Sequence, residues 1–266
     1  MYYNLCRKLL TSVLIILSTA PFVLGSIVVL NGLTHENTTT SGESYRGSIE
    51  VQNTAETEKS VKIYQRDYLF NFKGESRHDA PGTIARSNSG WITYNPELLV
   101  LAAGEKATIE FEVKVPQQDS LKGTYWSVIM VEGVIPPDTT RKTGVTINTA
   151  IRYAIQVVTH IGNSGSSDLQ FLGLEMNEPG DKKSINVLLE NTGERQLKPT
   201  LALELFDDNG KSEGVFKTES RKTFPGTSVK MTVNLEGIKP GKYTGVLVAD
   251  CDQDHVFGTN ISLELE

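Results

Sequence analysis

Thr108-Ile-Glu-Phe-Glu-Val-Lys-Val115 places an apolar side chain at every second position and a charged one between each pair. Successive side chains of an extended strand point to opposite faces, so this segment predicts a strand with one face buried and the other in water. Ser48-Ile-Glu-Val-Gln-Asn53, Ser60-Val-Lys-Ile-Tyr64 and Ser184-Ile-Asn-Val-Leu-Leu189 follow the same period. Turn signals separate such runs, among them Ala103-Gly104, Asn191-Thr-Gly193, Asp207-Asp-Asn-Gly210, Pro225-Gly226 and Pro240-Gly241. Short alternating strands punctuated in this way, with almost no sustained helical period, predict an all-β sandwich architecture.

A weak internal repeat divides the chain. A strand ends in Asn-Thr at Asn53 and again at Asn191; a turn ending in Gly104 or Gly226 introduces an alternating strand; Gly-x-Tyr opens a further one at Gly123 and Gly241. The expectation is two consecutive Ig-like β-sandwich domains, residues 26–161 and 168–266, joined by the short flexible linker Gly162-Asn-Ser-Gly-Ser-Ser167. Tyr125 and Tyr243 are candidates for a tyrosine corner, in which the phenol bonds back to the backbone just upstream. Asn71 to Ser89 is the longest irregular stretch.

At the N-terminus, Arg7 and Lys8 precede an apolar run from Leu9 to Leu24, the pattern of a signal peptide cleaved near Gly25 and Ser26. The chain is therefore expected outside the cytoplasm, in the periplasm or at the cell surface, with no transmembrane anchor after cleavage. Loss of residues 1–25 removes two of the 26 basic residues and none of the 32 acidic ones, taking the formal charge from −6 to −8. Such a balance argues against a nucleic-acid partner. Cys251 would be the one remaining cysteine, so the mature chain holds itself together without an internal disulfide.

No nucleophilic elbow, phosphate loop or metalloprotease motif is present, and the four histidines are scattered singly. The reading is of a binding protein, with no enzymatic activity, cofactor or metal. Asp250-Cys-Asp252-Gln-Asp254 begins like a calcium loop, but His255 stands where the loop needs Gly and Ile261 where it needs Glu. A hydrated hairpin between the last two strands fits it better. The most informative segment is Val145 to Ile161, in which every odd position is apolar or β-branched. At a sheet edge, its backbone groups would template a strand from another protein; paired on both sides, its odd face would close the first domain's core. The contact candidates are Ile151, Arg152, Tyr153, Ile155 and Val157.

From Ser48–Asn53 through Tyr94–Gly104 and Tyr125–Glu132 to Ile147–Thr159, the first domain resembles the periplasmic pilus chaperones. That resemblance implies a boomerang of two Ig-like domains and a strand that inserts alternate side chains into an unfinished pilus or surface-fibre subunit. The basic pair with which that family holds the subunit's terminal carboxylate has no clear counterpart: Gln156 stands near the expected Lys, and Ser26–Leu33 contains no Arg. Arg152 is the candidate substitute. Both domains together are also similar to the WxL-interacting cell-surface proteins, through Leu189–Gly193 and Pro240–Tyr243. This implies an alternative, a structural surface protein that binds peptidoglycan, glycan or another surface protein, with Trp91 beside the 71–89 loop as a sugar-stacking candidate.

Overall fold

A computed structural model describes residues 26–134, 150–177, 183–252 and 254–265. The signal segment and the first part of the long alternating stretch, Val145 to Thr149, lie outside them. The described chain is built of strands that form two successive Ig-like β-sandwiches.

The strands of the first sandwich are β1 (Ile27–Val29), β2 (Thr34–Thr39), β3 (Ser44–Asn53), β4 (Lys59–Phe70), β5 (Ser76–Asp79), β6 (Ile92–Asn95), β7 (Leu98–Leu101), β8 (Lys106–Lys114), β9 (Gly123–Gly133) and β10 (Arg152–Ile161). One sheet has the order β1-β3-β8-β6. The other runs β2-β10-β9-β4-β5, with β7 also on β4. The alternation expected of β3, β4 and β8 does what it implies: Ile49, Val51, Ile109, Phe111 and Val113 from the first sheet meet Val61, Ile63, Ile129, Val131, Ile155 and Val157 from the second. Fully burying each such side chain is worth about 1.5–3 kcal/mol.

β11 (Leu169–Asn177), β12 (Ser184–Asn191), β13 (Thr200–Phe206), β14 (Ser212–Lys217), β15 (Ser228–Asn234), β16 (Gly241–Asp252) and β17 (His255–Leu265) make the second sandwich. Its sheets are β11-β12-β15 and β14-β13-β16-β17. Its core joins Ile185, Val187 and Leu189 to Leu201, Leu203 and Leu205 across the two layers.

The repeated sequence marks are equivalent corners of the two sandwiches. Asn53 and Asn191 are both fully buried. The Asn53 amide donates to the carbonyls of Thr57, Leu101 and Ala102, and that of Asn191 to Arg195 and Thr223. Their own carbonyls accept from Gly104 and Gly226, at 2.9 and 2.7 Å. Both glycines have left-handed φ, +76° and +72°, which a side chain would strain. The third mark splits. Tyr243 forms the expected corner, its hydroxyl donating to the Lys239 carbonyl at 2.9 Å. Tyr125 does not: its ring packs 4.7 Å from Trp91 and beneath Arg86. Gly123, two residues before it, serves the domain junction instead, where a Cβ would fall 2.0 Å from the Glu194 carbonyl oxygen.

The two sandwiches meet over an aromatic hub. Trp126 stacks on Phe224 of the second domain at 4.7 Å, Phe70 meets the same ring edge-on, and the Trp126 indole N–H donates to the Tyr68 carbonyl. Polar ties flank the hub. The Thr124 N–H donates to the Glu194 carbonyl and the Gln196 N–H to the Thr124 hydroxyl, both at 2.8 Å. Arg86 and Lys122 pair with the Glu194 carboxylate, and Lys222 pairs with Glu36. The segment from Gly162 to Ser167 lies against this junction, with the Ser166 N–H donating to Glu194.

Candidate functional site

β10 lies between two neighbours for only part of its length. Along its whole course it pairs antiparallel with β9, from Arg152↔Glu132 to Ile161↔Gly123. On its other side it pairs in parallel with β2, but only from Gln156↔Thr34 to Ile161↔Thr39. The Gln156 N–H donates to the Leu33 carbonyl and the Gly162 N–H to that of Thr39, so the backbone groups of even-numbered residues point to the β2 side. Those of Arg152 and Ala154 therefore point along an edge that β2 does not reach. Among the described residues no strand pairs with that side of β10 from Arg152 to Ile155, and β2 closes the rest.

This topology separates the five contact candidates. Ile155 and Val157 are fully buried in the first domain's core and present nothing to a partner. The odd face they share turns inward because β10 is a paired strand of a sandwich there. Tyr153 is half-buried against the same core, whereas Ile151 is 44% exposed. Arg152 points to the outer face and pairs with Glu132 at 3.0 Å. It stands at the end of β10 remote from the domain junction, about 30 Å along the strand from Ile161 at roughly 3.3 Å per residue. Its charge is nonetheless felt by His78, which stacks on Tyr68 at 5.2 Å.

Register places on that outer face Arg152, Glu132 and Lys62 in one row, Ala154, Met130 and Tyr64 in the next, then Gln156, Val128 and Arg66. Lys62 and Arg66 approach the Tyr64 ring at 5.4 and 5.1 Å, and the Tyr64 hydroxyl donates to Glu132 at 2.6 Å. Burial and the neighbouring Glu132 carboxylate both push the Tyr64 phenol pKa up, which keeps its proton in place. Val128 and Met130 are buried although they point away from the core. Long charged side chains can cover apolar surface in this manner while their heads stay in water.

The rows end at the junction in a groove of about 460 Å³, whose walls include Tyr68, Phe70, Gln156, Arg221 and Lys222. Both cations come from the second domain, from the segment before Phe224. Sequence reasoning missed them because only the folded chain carries residues 221 and 222 to the position of Gln156. Lys222 is engaged by Glu36, whose carboxyl falls to about 2 through its hydrogen bond to His160 and its pairing with Lys222, against the opposite pull of burial. Arg221 is exposed and donates to the Lys230 carbonyl through one nitrogen at 3.0 Å. Tyr68, on the opposite wall, feels its charge.

The remaining candidates are structural in their surroundings. Trp91 is half-buried against the first domain's core. Within the 71–89 stretch, the buried Asp67 carboxylate accepts from the Thr83 and Ile84 N–H groups and from Ser87, which pins the loop to β4. Asp252 accepts from the N–H groups of Asp254 and His255 and closes the β16–β17 hairpin. Among the described residues no cluster of three His, Cys, Asp or Glu side chains could hold a metal, and no helix is long and apolar enough to cross a membrane.

No family model matches the chain, and no curated protein matches its sequence significantly. Solved structures similar to it include the class 5 fimbriae chaperone CfaA, 12% identical with a TM-score of 0.47, the match covering 88% of this chain and 98% of that one. The CsuC–CsuE chaperone–tip adhesion subunit pre-assembly complex of Acinetobacter baumannii gives 14% identity and a TM-score of 0.44, over 89% and 97% of the two chains. The CupB2 chaperone of Pseudomonas aeruginosa gives 11% and 0.43, over 89% and 100%.

Proposed function

We propose that the chain is an exported chaperone-like or accessory protein that binds another extracytoplasmic protein, a pilus or surface-fibre subunit, by pairing with one of its strands. The observation that supports this reading is the half-open β10. The backbone groups of Arg152 and Ala154 face outward beside the exposed Ile151, on the sheet whose outer face leads to a groove bearing Arg221. A partner strand laid on that edge would bond to N–H and C=O groups that no strand among the described residues pairs, and take its specificity from side chains beside them. Arg221 and the Gln156 amide are placed to receive a carboxylate at the groove, and a guanidinium does so by a forked, charge-assisted pair. In this reading the second domain supplies a carboxylate anchor through Arg221, beside the Arg152 candidate on β10.

The test separates edge from core. Ala154→Pro removes an N–H that points to the open side and leaves the pairing with β9 intact, which an edge strand tolerates. Affinity capture from the cell-envelope fraction should recover a small exported β-rich protein with the wild type and lose it with Ala154→Pro. Equal recovery with both, from variants that unfold at the same urea concentration, would end the strand-pairing reading.

A further inference from the structure

β2 covers the second half of β10, yet its sequence, Thr34-His-Glu-Asn-Thr-Thr39, contains no aliphatic side chain. What it offers the core is an imidazole. His35 meets Phe111 edge-on, with ring centroids 5.6 Å apart and planes at 70°. Its Nε2 is buried and, among the described residues, has no hydrogen-bond partner. A neutral ring can sit there as an aromatic surface; an imidazolium would place an N–H and a charge in the same spot with nothing to receive either.

Among the described residues, the groups around it supply no counter-charge. On its own strand, Glu36 points to the other face and is held by Lys222 and His160. On β8, Glu110 and Glu112 flank Phe111 on the outward side, and Glu112 pairs with Arg46 and Lys114. On β3 the Tyr45 hydroxyl is bonded to Thr159 of β10, and the β10 residue opposite His35 is Val157. Burial is the one cause that shifts the His35 pKa, and it lowers it. A histidine whose folded pKa is depressed gives stability that is whole above its unfolded value, near about 6.5, and is lost as pH falls through that value toward the folded one.

We propose that His35 is an acid-sensitive latch: its protonation releases β2 from β10 and extends the open edge from Arg152–Ala154 along the strand to Ile161. Its use, widening the surface for a partner strand in an acidified compartment, rests on the strand-pairing reading; the latch itself needs no partner to be tested. His160 is the other histidine of this strand pair, its Nε2 3.8 Å from the Glu36 carboxylate. His160→Gln is therefore the background in which the effect is cleanest.

Amide hydrogen exchange resolved by residue, expressed as protection factors at about pH 7.5 and about pH 5.5, tests the latch. The Gln156, Val158 and His160 amides face β2, while those of Val157, Thr159 and Ile161 face β9 and serve as internal controls. In the wild type the first set should lose protection at the lower pH by a factor approaching about ten, the limit that one proton sets between these two pH values, and the second set should hold. His35→Phe should abolish the difference. No loss in the first set, an equal loss in both sets, or a loss that persists in His35→Phe would each overturn the proposal. Should His35→Phe fail to fold, titration of the wild-type His35 ring resonances decides instead: the latch requires a midpoint well below about 6.5, and titration at that ordinary value contradicts it.

Discussion

At the residue scale, the sandwiches are pinned by buried polar groups that sequence alone did not single out. Asp67 is fully buried and accepts two backbone N–H groups and a serine hydroxyl from the 80s loop. Asp67→Ala removes the shared acceptor of these partly buried donors, at a cost of about 1–3 kcal/mol. Both tryptophans, Trp91 and Trp126, lie in the first domain, so a lower urea midpoint followed by tryptophan fluorescence is the expected outcome. Tyr243→Phe loses one hydrogen bond at the second domain's corner and should cost about 1 kcal/mol, read by calorimetry and leaving that fluorescence transition in place. Asn53 and Asn191 could be found in the sequence because each is followed by threonine and later answered by a turn glycine. Asp67 and Asn88 could not, because their partners lie 16 or more residues away and belong to no repeated pattern.

Elements were legible wherever one face is apolar and the other polar, as in β3, β4, β8 and β12. β2 was not, since a strand of Thr, His, Glu and Asn carries no alternation; it forms because β10 offers it a row of backbone partners. That omission is why β10 read as either an edge or a paired strand; β2 pairs it from Gln156 to Ile161. Burial now assigns the consequences of substitution. Ile155→Asp places an unpaired charge in the core and should unfold the first domain outright, so it tests packing. Ile151→Asp, on an exposed side chain, should leave the stability within about 0.5 kcal/mol of wild type and weaken capture of the partner. A severe stability loss from Ile151→Asp would show that Ile151 belongs to the core after all.

For the whole molecule, the junction makes a defined groove out of two sandwiches. Gly123 lets the start of β9 touch the Glu194 carbonyl, and Trp126 and Phe224 close the space beside it. Phe224→Ala removes the second domain's half of this stack and should cost about 3–5 kcal/mol. Small-angle scattering should then show a broader range of particle dimensions, as the groove between Gln156 and Arg221 loses its fixed shape; an unchanged profile would show that the polar ties alone hold the domains.

Strand pairing along β10 is tested most directly by quantitative capture from the envelope fraction with wild type and Ala154→Pro side by side, each first shown to unfold at the same urea concentration. A bound exported subunit whose recovery falls at least about tenfold with Ala154→Pro is the expected outcome. The same subunit recovered equally by both proteins would rule the pairing out, because a partner bound along β10 cannot be indifferent to a proline on that edge.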